Sequence, residues 1–170
     1  MTLDLEALRA RHPAMHPEHA ASLALHATVA LQQQGHEPGV RLIVRVEQTP
    51  SNASLRWSRR DSDGDELLDA KHIKEFGAEA IALALVHEAR GLVAMRKLPE
   101  GDSADWLLKA PNGTRVALEV SGTGNGSATT RMRIKLAQVA KYEGHVGTRS
   151  ACVVRFREPA TWVKDVEASR

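Results

Sequence analysis

The sequence predicts a mixed α/β fold, and the order of elements in its second part is the observation that carries this prediction. From Asp69 onward, apolar periodicity and turn residues indicate a helix, three strands, a helix, a strand and a short final helix. Before that point, a helical region and a β-hairpin are expected. We therefore expect an N-terminal helix and β-hairpin unit over residues 1–60 and an α/β core over residues 66–170, packed as one compact domain.

The composition is that of a soluble globular protein, and it excludes several other classes. The 170 residues are 42% apolar and 26% charged, and 23 basic against 21 acidic side chains give a net charge of +2. This balance excludes a histone-like tail and an acidic disordered segment. Cys152 is the single cysteine, so we expect neither an internal disulfide nor a thiolate metal cluster. The most apolar stretch carries charges and the N-terminus is acidic, so we expect a cytoplasmic protein with no membrane partner.

The elements of the N-terminal unit are predicted from helix and hairpin signals. A short helix is expected from Leu3 to Arg11, and a second helix begins at Pro17 and runs to Gln34. The alternating segment 40–48 is expected to form a strand, residues 49–52 a turn, and residues 54–59 the partner strand.

An acidic loop over residues 61–66 is expected to separate this unit from the core. The next helix is predicted from Asp69 to Arg90, with a break near Gly77 and an end at Gly91. The remaining expected elements are strands at 92–98, 104–110 and 115–121, a helix from Ser127 or Thr129 to Tyr142, a strand at 150–157, and a terminal helix opened by Pro159. Trp57, Trp106 and Trp162 are expected to be packing anchors.

The loop 111–113 predicts the register of the hairpin that carries the candidate site. Proline, asparagine and glycine in this order are typical of a three-residue loop that ends in a bulge. Pairing outward from this loop sets Asp105 opposite Glu119, and alternation places both on the same face as Ser121. The other face is expected to be a core face, formed by Trp106, Leu108, Val116, Leu118 and Val120.

Two carboxylates directly opposite each other are unfavourable by about 0.2–1 kcal/mol, so folding alone would not select Asp105 and Glu119. A divalent cation between them would reverse the sign, because hard cations are held by one or two carboxylates and complete their shells with water and substrate phosphate. The alternative interpretation is a solvated hairpin face with scattered charges, with Lys109 and Arg115 nearby.

Asp105, the string Glu119-Val120-Ser121 and the string Gln138-Val139-Ala140-Lys141-Tyr142 together resemble the motifs of the restriction-endonuclease-like, or PD-(D/E)xK, superfamily. The QxxxY string is similar to the third motif of the RecB-type exonuclease branch, and His87 is similar to the upstream metal-ligand histidine of that branch. The resemblance covers roughly residues 69–157 and implies an αβββαβ core. It also implies Mg²⁺ or Mn²⁺ held by Asp105, Glu119 and His87, with Gln138 and Tyr142 bracing the site or contacting substrate.

The sequence departs from this family at one position, because Ser121 stands where the family has its lysine. Three accounts of the departure are open. Lys135 lies one helical turn before Gln138, so its amine could fill the vacancy, as happens in some branches of the family. Metal-bound water alone could instead support weak catalysis, since the cation lowers the pKa of its water. In the third account the site is inactive and the fold serves as a binding module.

The placement of charge indicates a nucleic-acid partner more than the net charge does. Between residues 115 and 157 there are eight basic and two acidic side chains. The candidate nucleic-acid-binding residues are Arg131, Arg133, Lys135 and Lys141, which could neutralise phosphates beside the site. A solvated helix face is the alternative interpretation of each residue alone. DNA is favoured over RNA, and a homodimer or a partner protein is also compatible with the sequence.

The sequence therefore predicts a metal-dependent nuclease-like protein that acts on nucleic-acid phosphodiesters, with a role in bacterial defence. The alternative is a catalytically inactive nuclease-fold subunit of a defence or toxin–antitoxin-like system, and a third interpretation is a protein-interaction module. Glu79 and Glu88 could each add a carboxylate from the helix before the first core strand, although a charged helix face explains them equally well.

Overall fold

A computed structural model describes residues 1–61 and 68–166 and has a mixed α/β fold built on one eight-stranded sheet. Its elements are β1 (Thr2–Asp4), a 3₁₀ turn (Leu5–Ala7), α1 (Leu8–Arg11), α2 (Pro17–Gln33), β2 (Arg41–Val46), β3 (Thr49–Arg56), α3 (Ala70–Arg90), β4 (Val93–Lys97), β5 (Trp106–Lys109), β6 (Arg115–Thr123), α4 (Ala128–Val139), β7 (Thr148–Arg155) and β8 (Ala160–Asp165). After Asp61, the expected acidic loop lies outside the described residues. No helix in the described ranges is long and apolar enough to cross a membrane.

The sheet runs through both of the units predicted from the sequence. Its strand order is β1-β3-β2-β8-β7-β6-β5-β4. Strands β4, β5 and β6 form an antiparallel meander, β6 and β7 are parallel on either side of the α4 connection, and β8 returns antiparallel to β7. The N-terminal hairpin joins this sheet because β2 pairs in parallel with β8.

Each face of the central strands has its own core, because alternate side chains point to opposite faces. Helices α2 and α3 cover one face, where the buried strand residues include Trp106, Leu108, Val116, Leu118, Val120 and Cys152. Helix α4 covers the other face, where Leu107, Ala117, Ala151 and Val153 pack against Met132 and Val139. The predicted core face of the hairpin is therefore confirmed, and α3 and α4 lie on opposite sides of the sheet.

Helix α3 begins and ends where the sequence predicts, but it is not broken at Gly77. The Asp69 carboxylate caps the helix by accepting from the backbone nitrogens of Lys71 and His72, at 2.9 and 3.0 Å. Gly91 ends it with a φ of 65°. Gly77 instead marks a close approach of α2, because a Cβ there would lie 3.1 Å from the Cα of Ala27.

The N-terminal predictions were wrong in two places. Residues Thr2–Asp4 form β1, which pairs in parallel with β3, so the α-helix in this region covers Leu8–Arg11 alone. The predicted turn over residues 49–52 belongs to β3, because the chain reverses at residues 47–48, where Glu47 has a φ of 56°.

The predicted terminal helix after Pro159 was also wrong, because residues Ala160–Asp165 form the strand β8. Thr161, Trp162 and Val163 are β-branched or aromatic, the types that favour strands. Strand β8 also lies between β7 and β2, so both of its edges are hydrogen bonded.

Gly122 is the point at which β6 passes closest to α3, and it provides a test of this packing. A Cβ at Gly122 would overlap the main-chain carbonyl oxygen of Lys74, which cannot move without bending the helix. We expect Gly122→Ala to lower the free energy of unfolding by about 1–3 kcal/mol, measured by chemical denaturation. Gly124→Ala is the matched control, because no atom lies within 4 Å of its Cβ position. Equal stability of the two variants would contradict the close approach.

Candidate active site

The β5–β6 hairpin has the register predicted from its loop. Leu107 lies opposite Ala117, and the loop closes with a hydrogen bond of 2.8 Å from the Ala110 nitrogen to the Thr114 oxygen. The pairing continues past the end of β5, because the Asp105 nitrogen donates to the carbonyl oxygen of Leu118, the residue before Glu119, at 2.9 Å. The hairpin therefore brings Asp105 beside Glu119.

Asp105 and Glu119 meet as two carboxyl groups in a largely desolvated place. The Asp105 Oδ2 accepts from the Val120 nitrogen at 2.7 Å, which holds the side chain along β6. The Glu119 side chain is only 3% exposed. Burial, and then the negative charge of Asp105, raise the pKa of Glu119 to about 7.

Lys135 reaches Glu119 from α4. Its Nζ lies 2.6 Å from Glu119 Oε1 and 3.0 Å from Gln138 Oε1. Lys135 and Gln138 are three residues apart, so they share one side of the helix. The ammonium group opposes the rise in the pKa of Glu119 without cancelling it. This geometry fits the account in which Lys135 supplies the amine that is missing from the Ser121 position.

A second cation from α4 lies at Ser121 itself. The Arg131 Nη1 donates to the Ser121 Oγ at 3.0 Å, one helical turn before Lys135. Two positive side chains of α4 thus line the same face of β6 as Glu119. Positive charge is present where the family resemblance requires it, although it comes from the helix rather than from the strand.

The exposed end of α4 borders an open groove beside the site. This groove has a volume of about 520 Å³ and lies between α4 and the loop 101–103 that precedes Asp105. Arg133, Gln138 and Lys141 line it on the helix side. The candidate nucleic-acid-binding residues Arg133 and Lys141 therefore line the same groove as Gln138, which accepts a hydrogen bond from Lys135.

The structure does not bring His87 to the carboxylates. His87 is on α3, on the other side of the sheet from α4, and its ring packs edge to face against His12 with centroids 5.6 Å apart. Glu79 is the α3 residue close enough to Asp105 for the charge of Asp105 to raise its pKa. His87 lies eight residues farther along α3, which is about 12 Å of helix. The geometry therefore does not support His87 as a metal ligand together with Asp105 and Glu119.

Tyr142 lies beyond the end of α4, and its contacts are those of a packing residue. Its ring lies against Gly144, where a Cβ would collide with the ring carbons and the hydroxyl. Its backbone oxygen accepts from the Arg149 guanidinium at 2.8 and 3.0 Å. The ring also joins the core beneath α4. Tyr142 therefore braces the segment after α4, whereas Gln138 of the same string reaches the site.

Glu79 is the acidic residue that the sequence analysis did not separate from a charged helix face. It is buried on α3, its Oε2 accepts from Trp106 Nε1 at 2.8 Å, and its other oxygen binds Lys97. Burial raises the pKa of Glu79, Lys97 opposes the rise, and the charge of Asp105 adds to it. Glu88, in contrast, forms an ion pair of 2.7 Å with Arg11. The available signal was the apolar stretch 78–86, which contains Glu79 as its one charged residue.

No family model, curated protein or solved structure matches this chain.

Asp105 and Glu119 are the side chains at this site that could hold a divalent cation. Within residues 1–61 and 68–166, no three His, Cys, Asp or Glu side chains form a metal-binding group. The carboxylate pair nevertheless fits a hard cation that takes its other ligands from water and phosphate. Glu119 Oε2 is buried without a hydrogen-bond partner among the described residues, and the two carboxylates repel each other when both are ionised. A cation would satisfy both conditions.

The raised pKa of Glu119 predicts how stability depends on pH. The folded protein holds this proton more tightly than the unfolded chain does, so the stabilisation is complete below the ordinary glutamate pKa and is lost as the pH rises through about 7. We expect Glu119 to account for a loss of about 2–3 kcal/mol in the free energy of unfolding between mildly acidic and mildly alkaline pH.

Chemical denaturation across this pH range, without metal, measures the effect. Glu119→Gln should lack this part of the pH dependence. Asp105→Asn should lower the midpoint of the Glu119 titration seen by ¹³C NMR, because it removes a negative charge. A titration midpoint near the ordinary value for glutamate in the unsubstituted protein would contradict the buried carboxylate pair.

Proposed function

We propose that this chain is a nuclease-like protein that cleaves nucleic-acid phosphodiesters with Mg²⁺ or Mn²⁺. The observation that supports it is the pair of half-buried Asp105 and buried Glu119, with the amine of Lys135 held at 2.6 Å from Glu119. The element order from α3 to β7, helix, three strands, helix and strand, supports the resemblance to the restriction-endonuclease-like fold. DNA is the favoured substrate, and bacterial defence is the proposed setting.

Each side chain of the site has a role in this proposal. Asp105 and Glu119 would hold the cation, which when bound acts as a Lewis acid and lowers the pKa of its water. Lys135 is placed to donate to the attacking water or to a phosphate oxygen, where it would stabilise the negative charge that develops during cleavage. Gln138 accepts from Lys135 and so orients the amine. Glu119 takes up a proton near neutral pH, so its ionisation would set the acid limit of activity.

The cations of α4 would bind the substrate backbone. Arg131 lies at Ser121, beside the carboxylate pair, and Arg133 and Lys141 line the groove next to Gln138. Contacts of this type bind phosphates without reading the sequence, so the proposal implies affinity that falls as the salt concentration rises.

A second candidate function is a nuclease-derived binding subunit without catalysis. The observation that favours it is the ion pair between Lys135 and Glu119, which neutralises one carboxylate without a metal. In that case nucleic acid or a partner protein would bind, and Asp105→Ala would leave binding unchanged.

Metal-dependent cleavage is the direct test of the two candidates. Labelled single-stranded and double-stranded DNA and RNA are incubated with the protein and manganese, and products are separated by gel electrophoresis. We expect cleavage that a chelator stops, and a rate at least about 100-fold lower for Asp105→Asn and for Glu119→Gln, because each removes an anionic ligand of the cation. Glu75→Gln, at an exposed position of α3, is the control and should retain the rate of the unsubstituted protein.

Cleavage that survives Glu119→Gln would contradict the assignment of the site. No cleavage of any of the four substrates, together with no thermal shift on adding manganese, would favour the binding subunit.

Lys135 is expected to act on the chemical step. Lys135→Met should lower kcat by about 100-fold and change KM much less, since the charge that Lys135 stabilises develops in the transition state. It should also move the acid limb of the pH–rate profile upward, because the amine lowers the pKa of Glu119. Lys71→Met on α3 is the charge-matched control. An unchanged kcat in Lys135→Met would show that the Lys135–Glu119 pair is structural.

A further inference from the structure

A second groove lies on the opposite flank of α4 from the carboxylates. It has a volume of about 560 Å³. Its floor is formed by β2 and β8, and its wall by one side of α4. The residues that line it are Arg45, Glu47, Gln48, Ala128, Thr129, Met132, Arg133, Leu136, Trp162 and Lys164. We call it the β2–β8 groove. None of the functional roles proposed above uses it, except through Arg133.

The floor of this groove exists because the N-terminal hairpin joins the core sheet. Strand β2 pairs in parallel with β8, and this pairing sets Arg45 directly beside Trp162. Helix α4 ends its coverage of the sheet here, and Ile43, two residues before Arg45 on the same face, is 46% exposed. The groove is therefore an open strip of sheet next to a helix.

The charge of the groove is positive and unpaired. Among the described residues, Arg45, Arg133 and Lys164 form no ion pair with a carboxylate. The one acidic side chain of the groove is Glu47, and its Oε1 accepts from Arg90 at 2.8 Å and from the Asp165 nitrogen at 2.9 Å. Arg90 is shared between Glu47 and Asp165, which it binds at 2.7 Å, so its charge offsets Glu47 only in part. The three cations of the groove still outnumber its one carboxylate, and this excess of positive charge would attract an anionic partner.

The centre of the groove is apolar and aromatic. Trp162 is partly exposed and contributes with Met132 and Leu136 to the surface between the cations. The Arg155 guanidinium lies 5.5 Å from the centre of the indole ring, within the range of a cation–π contact. Unpaired cations around a partly exposed aromatic side chain are a combination by which proteins hold single-stranded nucleic acid: phosphates bind the cations and a base stacks on the ring.

We propose that the β2–β8 groove binds single-stranded nucleic acid, with a base against Trp162 and the backbone on Arg45, Arg133 and Lys164. A duplex keeps its bases stacked inside, so it could offer phosphates to the groove but no base to Trp162. Arg133 lines both this groove and the groove beside Gln138, so one strand that crosses α4 contacts both. The inference names the substrate class of the proposed nuclease, but binding in the groove does not require the carboxylates.

Fluorescence of Trp162 measures this binding in the full chain. Trp57 and Trp106 are 5% and 2% exposed, so quenching by an added strand would report on Trp162. The probes are unlabelled oligo-dT and oligo-U and a matched DNA duplex, in a chelator so that no cleavage occurs. We expect the single strands to quench the emission, with affinity that falls as salt rises, and the duplex to quench far less. Trp162→Phe should lose the quenching and keep the affinity for a labelled strand within about threefold.

Matched charge variants test the backbone contacts by anisotropy of a labelled strand. The double variant Arg45→Ala/Lys164→Ala should bind at least about tenfold more weakly. The control Lys74→Ala/Lys109→Ala removes the same charge at exposed positions outside the groove and should bind within about twofold of the unsubstituted protein. Oligo-dT and oligo-U arms distinguish DNA from RNA as the source of the strand.

The outcomes separate this inference from the proposed function. Single-strand quenching that the groove double variant abolishes supports the inference, whether or not cleavage is found. Cleavage with no quenching, or equal weakening in both double variants, would overturn the inference and leave the carboxylate site intact. A change in sedimentation of Arg45→Ala/Lys164→Ala without a change in strand binding would also overturn it, because the strip would then be an interface between two copies of this chain.

Discussion

A buried carboxylate that faces a second carboxylate is the constraint on which this part of the structure depends. Desolvation and the charge of Asp105 both disfavour an ionised Glu119, and together they raise its pKa to about 7. The fold offers two means of compensation, a proton near neutral pH and the Lys135 ammonium at 2.6 Å. The proton or the ammonium neutralises one negative charge. An apolar pair at these two positions would have had no charge to desolvate. The energetic cost of this arrangement is the physical argument for a functional site.

The register of the β5–β6 hairpin and the shared side of Lys135 and Gln138 on α4 could both be predicted from the sequence, because the signals for each are local. The loop 111–113 sets the register of two short strands, and alternation then decides which side chains share a face. The spacing of three between Lys135 and Gln138 places both on one side of a helix. These rules connect residues that are close in sequence or directly paired, and both predictions agree with the structure.

The misplaced elements depend on partners that are distant in sequence. Residues 160–165 form a strand because β7 and β2 lie on either side, and β2 is more than a hundred residues away. His87 fits a motif by its position before the first core strand, but its helix lies on the other side of the sheet from α4. The sequence left Glu79 open between an added carboxylate and a charged helix face, because its burial depends on the tertiary packing of α3. For His87 and Glu79, residue type and spacing do not contain this information, whereas residues 161–163 do carry a strand signal of their own.

The joining of the N-terminal hairpin to β8 has a consequence for function. Without β2, the sheet would end at β8 and Trp162 would have no Arg45 beside it. With β2, Arg45 lies beside Trp162 and the positive strip continues across α4 toward the carboxylates. The N-terminal unit therefore contributes one side of the proposed binding groove to the same sheet that carries the candidate catalytic residues.

Isothermal titration calorimetry with manganese tests the central claim most directly, because a preorganised carboxylate pair should bind one divalent ion and release a proton from Glu119. At a pH just below 7, in two buffers of different ionisation enthalpy, the account predicts one site, an apparent enthalpy that differs between the buffers, and loss of both in Glu119→Gln. The absence of binding at millimolar manganese, or binding that Glu119→Gln leaves unchanged, would contradict it.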